Sequence, residues 1–392
     1  MSKGLKLLTL MGLALLLIII RASFLPLELN ERGIVLGVGI DYDQKTATYN
    51  LAVEIATPKQ NAMGSESSAS QGSQKMVEGS GKSVGLAIRN LFNSFGKTPS
   101  FGECGIIILG QECIEQTSLQ QTLDYFVSSG SFRDGTVVVA CEGQARETLQ
   151  KRSQVDEYVS FALQTLLVDS GNRAQIQYTT LNSTAQSFYD RSKSCFLNLI
   201  RFEAESIDEE ASEGSSSQGK GKQGKFLTGQ MALFSDGRYV GELNREEVNG
   251  LNLCDKKKIF CVFVDEENPN QKALALDKKR VKRAIEISSG KVLVKIDLNL
   301  GLRELRTDSV GEVITLRRKE NSLLSEGQKQ GAERQATEAV KKAFAKSTET
   351  KCDFFGIKNA LYAKYGEEYI DQLEGGDFWG NLKLVAVTEC DG

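Results

Sequence analysis

Gly33-Ile34-Val35-Leu36-Gly37-Val38-Gly39-Ile40 is a run without a charged or amide side chain. Val, Ile and Leu between small residues suit a strand buried on both faces, and the spacing predicts one over Gly33–Ile40. Asp41-Tyr42-Asp43-Gln44 reads as a polar turn, and Thr46–Ala56 as the returning strand. Further strands follow at Ile106–Leu109, Thr136–Cys141 and Cys195–Phe202. Between them, Val84, Ala87, Ile88, Leu91, Phe92 and Phe95 fall on one helical face. The same spacing marks helices at Leu119–Val127 and Val155–Leu167. Strands alternating with helices make this region mixed α/β.

Two stretches interrupt the pattern. Lys59–Ser80 is rich in Gly, Ser, Gln and Ala and reads as a loop, and Glu209–Lys225 as a solvated linker or long hairpin loop. Beyond the second, Ser235-Asp236-Gly237 separates Gly229–Phe234 from Arg238–Leu243, a hairpin signal because the turn needs positive φ. Strands are expected at Arg283–Ile287, Val292–Leu300, Glu312–Leu316 and Asn381–Val387. A long helix should begin near Ser325, and a second should cover Phe355–Tyr369. The resulting partition is a segment 1–27, an α/β domain 28–205, a linker or loop 206–224, a small β-rich middle domain 225–275 and an α/β domain 276–392.

The first segment sets the compartment. Lys3 and Lys6 precede Leu7–Ile20, which carries no charge, as in an export signal. As a helix that run is about 21 Å long, short of a hydrocarbon core of about 30 Å. Continued through Arg21, whose head can snorkel, to Leu27, it becomes long enough to remain as an anchor with the rest of the chain outside.

Composition narrows the chemistry. The 392-residue chain has no histidine, which closes Ser-His-Asp and Cys-His catalysis and His-ligated metal or haem. A net charge of −3 argues against a nucleic-acid partner. No two of the 8 cysteines form CxxC, which disfavours a zinc ribbon; buried thiols and disulfides both remain open. Gly79-Ser80-Gly81-Lys82-Ser83 ends like a phosphate loop, but Met76 stands where the motif needs glycine. Gly37-Val38-Gly39 lacks the third glycine of a dinucleotide fingerprint. The cluster Lys278-Lys279-Arg280, Lys282, Arg283 reads as a solvated face, with anionic lipid headgroups as the functional alternative. Asp41 with Asp43 is the tight carboxylate pair that would support an extracytoplasmic hydrolase such as a glycosidase, although acids at a turn usually serve the turn itself. Catalytic, cofactor-binding and metal residues are therefore assigned to none, and ligand-binding residues stay unassigned.

Leu29-Asn30-Glu31-Arg32, continuing through Gly33–Asp41, resembles the opening strand of the Ger(x)C family, the C subunits of spore nutrient-germinant receptors. Three further stretches are similar to that family in the same order. These are Ser131-Phe132-Arg133-Asp134 through Gly143–Leu149, Gly229–Phe234 to Gly241-Glu242-Leu243, and Cys352-Asp353-Phe354-Phe355-Gly356-Ile357 with Tyr365 and Trp379. The resemblance implies a three-domain α/β protein with mixed sheets, packed helices and an N-terminal membrane anchor, without catalytic residues or cofactor. It implies a place on the outer face of the spore inner membrane with integral-membrane A and B subunits, sensing a nutrient directly or through those partners. Family members are typically lipoproteins, and here Ser23 stands at the lipobox cysteine position. A serine hydroxyl cannot form the thioether to diacylglycerol, so lipidation there is not expected and residues from about Leu5 to Leu27 are expected to stay as the anchor. A stand-alone membrane-tethered binder of small molecules is the alternative.

Overall fold

The structure is a computed structural model that describes residues 4, 11–15, 32–56, 75–151, 156, 158–172, 176–204, 224–255, 262–264, 272–288, 290–306, 324–366 and 377–391. It contains a nine-stranded and a four-stranded sheet. The fold is mixed α/β, as the sequence predicts.

The first sheet is built around β1 (Arg32–Asp43), β5 (Ile106–Leu109), β6 (Val137–Cys141) and β7 (Ser194–Ala204), which lie parallel in that order. On one side β2 (Thr48–Ile55) and β3 (Lys75–Gly81) extend it as an antiparallel meander. On the other side β8 (Gly224–Ser235) and β9 (Arg238–Leu243) do the same. Short β4 (Thr98–Ser100) pairs with the start of β1.

Every residue of β5 and β6 is buried, because helices cover both faces. One face packs on α1 (Val84–Phe95), α2 (Gln111–Gln116), α3 (Leu119–Ser128) and α6 (Leu181–Tyr189). The other packs on α4 (Ala145–Gln150), α5 (Val159–Asn172) and α7 (Arg245–Cys254).

The second sheet runs β10 (Val262–Val264), β11 (Lys272–Ser288), β12 (Lys291–Arg306), β13 (Leu382–Asp391), with β13 parallel to β12. Its inner face holds Val292, Val294, Ile296, Leu298 and Leu300 against α8 (Glu326–Thr350). Ser325 starts α8 with a capping box: its hydroxyl accepts the Gln328 N–H at 3.0 Å, and the Gln328 side chain accepts the Ser325 N–H at 2.9 Å. The two sheets share one core through α7 and α8. At their crossing Gly250 sits against the backbone of Ala339, where a β-carbon would collide with the carbonyl oxygen. Finally α9 (Ile357–Tyr365) precedes β13.

Several expectations change. The Gly224–Leu243 hairpin does not found a separate 225–275 unit; it pairs with β7 at the edge of the first sheet, and α7 follows directly. Its turn is as expected, with Asp236 at φ 51° and Gly237 at φ 73°. The expected loop Lys59–Ser80 contains strand β3 from Lys75 onward. Asp41, Tyr42 and Asp43 belong to β1, and the turn falls at 44–47, where Ala47 takes φ 50°. The helix expected over Phe355–Tyr369 is Ile357–Tyr365, because Gly356, at φ 67°, forms its N-cap. The strand expected at Glu312–Leu316 lies outside the described residues, as does most of 1–27, including Ser23. Among the described residues no helix is long and apolar enough to cross a membrane.

Candidate functional site

At the carboxyl ends of β1, β5 and β6 lies a cleft of about 1020 Å³, lined among others by Asp41, Asp43, Lys45, Glu78, Glu112 and Arg146. This is where open α/β sheets place their ligands, because the loops leaving parallel strands diverge there.

Asp41 organises its floor. Its Oδ1 accepts the Ala145 N–H at 2.7 Å and its Oδ2 accepts the Arg146 N–H at 2.9 Å, so a β1 carboxylate caps α4. Gly110 leaves the necessary room, since a β-carbon there would strike Asp41 Oδ1. Burial raises the Asp41 pKa above the ordinary value, against the lowering effect of the two N–H groups. The loops after β5 and β6 are laced together: the Gln111 N–H donates to the Gly143 carbonyl at 2.8 Å, and the Gly143 N–H to Gln111 Oε1 at 3.3 Å. Beneath them, burial pushes the Cys113 and Cys141 thiols up to about 12, with the Asp41 charge adding to the effect, so neither is a nucleophile.

The rim is polar. Arg146 pairs with Glu78 at 2.7 Å, both about half exposed, a contact worth little in stability. Asp43 accepts the Thr46 hydroxyl at 2.8 Å and the Lys45 N–H at 2.9 Å; the hydroxyl is the main reason its pKa is lowered. The environments therefore push Asp41 and Asp43 in opposite directions, as in an acid/base pair. Both Asp41 oxygens are committed to α4, however, and both Asp43 oxygens to the turn. Proton transfer by either carboxylate would come at the expense of the cap or the turn it holds. Among the described residues no three Cys, Asp or Glu side chains converge as a metal would require.

The other motifs resolve into packing. Gly79 and Gly81 bring β3 against the backbone of α1, and Ser83 caps that helix by accepting the Leu86 N–H at 3.3 Å. Gly37 lets α5 reach β1 at Ser160. The basic cluster on β11 divides between two settings. Lys279 donates to the Asn252 carbonyl at 2.8 Å and Arg283 to the Phe355 carbonyl, while Arg280 and Lys282 lie beside Asp297 and Glu389. The seven cysteines within the described residues are buried free thiols; Cys261 lies outside them.

Two further buried carboxylates, one of them inside the C-terminal stretch that carries the resemblance, have no role that the sequence alone assigns. Glu54, fully buried on β2, accepts the Val159 and Ser160 N–H groups at 3.1 and 2.9 Å at the start of α5. Asp353 accepts those of Ile357 and Lys358 at 2.7 and 2.8 Å, and burial pushes its pKa up to about 6. A glutamate amid Leu51-Ala52-Val53 and Ile55 was the available signal for the first. Asp353 stands at a joint between the sheets: its own N–H donates to Ser194 Oγ at 2.9 Å, and the Cys352 thiol donates to the Phe234 carbonyl at 3.3 Å.

Residues 26–202 match the family described as "Spore germination protein N-terminal domain", and residues 229–389 match "Spore germination B3/GerAC like, C-terminal". No curated protein matches the chain. Among solved structures, the crystal structure of the GerBC protein is similar at a TM-score of 0.52 and 14% identity, over 91% of this chain and 97% of that one, a likeness of fold.

Proposed function

Since the chain belongs to the Ger(x)C family of spore germination proteins, we propose that it is the C subunit of a nutrient-germinant receptor. In this reading it is a non-enzymatic protein on the outer face of the spore inner membrane. It works with integral-membrane A and B subunits, and the complex triggers germination when a nutrient is sensed. The observation that carries the reading is the pair of family matches, which follow one another in chain order from residue 26 to residue 389. The commitment of Asp41 and Asp43 to cap and turn weighs against acid/base catalysis by this pair. Co-purification of the two membrane subunits with this chain from solubilised spore membranes is the expected result. A deletion strain without paralogues that germinates normally with every nutrient would refute it.

The tether belongs to the same reading. Mass analysis of membrane-bound protein should find an intact Met1 or Ser2 terminus; a mature chain beginning near Ser23 removes the anchor.

The cleft favours a second reading, a tethered binder of small molecules acting alone. It predicts saturable heat when amino acids or sugars are titrated into the purified protein, and silence across a broad panel removes it.

A further inference from the structure

The start of the described fold and the cleft lie at opposite ends of one strand. β1 runs from Arg32 to Asp43, about 36 Å at the usual rise per residue. Its first residues pair with β4, Arg32 with Thr98 and Ile34 with Ser100, and its last line the cleft. On the tether proposed above, residues 28–31 alone separate the bilayer from β1, a reach of about 13 Å.

We propose that the end of the first sheet around β4 is seated on the lipid headgroups, so that the cleft opens away from the membrane. The inference rests on the anchor reading and adds an orientation and a contact surface to it.

The side chains at this end suit that position. The last turn of α1 reaches it because Phe95 packs over Gly33, where a β-carbon would meet its ring. One turn back, Phe92 is 40% exposed, its ring 6.0 Å from Phe101, which lies 4.8 Å from Phe132. Val127, at the end of α3 beside the same aromatic cluster, is 44% exposed. Lys97 is exposed directly after the Gly96 cap of α1. Arg133 is exposed and pairs with Glu103 at 2.6 Å, which offsets that acid; Asp134 is the remaining carboxylate of the adjoining loop. Exposed apolar tips on a patch where Lys97 and Arg133 balance Glu103 and Asp134 are what the headgroup layer accepts from a peripheral surface. The cleft, where Asp43, Glu78, Glu112 and Glu115 outnumber Lys45 and Arg146, is the end that anionic lipid would repel.

The test uses the full chain in vesicles of phosphatidylcholine with phosphatidylglycerol, doped with a headgroup-nitroxide lipid. A fluorophore is attached at Thr98→Cys or at Lys45→Cys, both exposed positions. Native thiols compete little, since the seven described are buried, and the unsubstituted protein measures any background labelling. The Thr98 site should be quenched several-fold more strongly than the Lys45 site. Adding Phe92→Glu with Lys97→Glu should weaken that quenching while flotation with the vesicles persists. Equal quenching at the two sites, or stronger quenching at Lys45, overturns the orientation with the tether intact. Quenching at Thr98 that requires co-reconstituted membrane proteins assigns this end to a protein partner and overturns the lipid seat. A chain that does not float with vesicles at all refutes the tether, and this proposal with it.

Discussion

Strands β5 and β12 both run through the core, yet they are buried differently. Ile106, Ile107, Ile108 and Leu109 are all inaccessible, because the nine-stranded sheet carries helices on both faces. Along β12, buried Val292, Val294, Ile296, Leu298 and Leu300 alternate with accessible Leu293, Lys295, Asp297 and Asn299. A strand covered twice reads as an unbroken run, and a strand covered once reads as alternation. The contrast separates a sheet whose central strands are sealed on both faces, with the cleft at their carboxyl ends, from one that presents a whole face. That face holds Arg280, Lys282, Lys295, Glu286, Asp297 and Glu389, partly neutralised by the Lys295–Glu286 pair at 2.8 Å.

The largest expected effect tests the contrast directly. Ile107→Ala and Ile108→Ala project to opposite faces, and each should cost about 3–4 kcal/mol in urea unfolding, whereas Asp297→Ala should stay within about 0.5 kcal/mol. If either isoleucine behaves like Asp297, one face of the first sheet is less well covered than the structure indicates.

Next comes the joint at Asp353. Its folded pKa of about 6 lies above the unfolded value of about 4. The folded state therefore binds the proton more tightly, and stability from this group is present at low pH and lost as pH rises from about 4 to about 6. The loss should be at most about 3 kcal/mol. Asp353→Asn should flatten that slope; an unchanged profile would place the titration elsewhere.

The smallest effect concerns the seam. Gly250→Ala should cost about 2 kcal/mol by forcing α7 off α8. It should also split the thermal transition, because the shared core passes through that crossing. A single sharp transition at the original temperature would show that the crossing has slack.

Much of this architecture is legible in the sequence. The apolar runs of β1, β5 and β6, the periodicity of α1, the Asp236-Gly237 turn and the Ser325 start of α8 all express local physics. What escaped depends on partners far along the chain. Asp41 looks like turn chemistry until Ala145, 104 residues away, places its N–H on the carboxylate. β3 looks like a loop because its glycines serve α1, not the strand. The Gly224–Leu243 hairpin states its own turn but not that its outer partner is β7, so a boundary drawn from composition divides a single sheet. The two family matches, ending at 202 and resuming at 229, divide it at the same place.

That pairing has a practical consequence. Glu203 and Ala204 face Lys225 and Gly224, so the ends of the intervening segment are held side by side by the ladder. The register is set by the strands and not by the length between them. A guest sequence, such as an epitope or a fluorescent protein with adjacent termini, spliced between Ala204 and Gly224 should leave both sheets intact. The position offers a handle for imaging or capture at a distance in sequence from both chain ends.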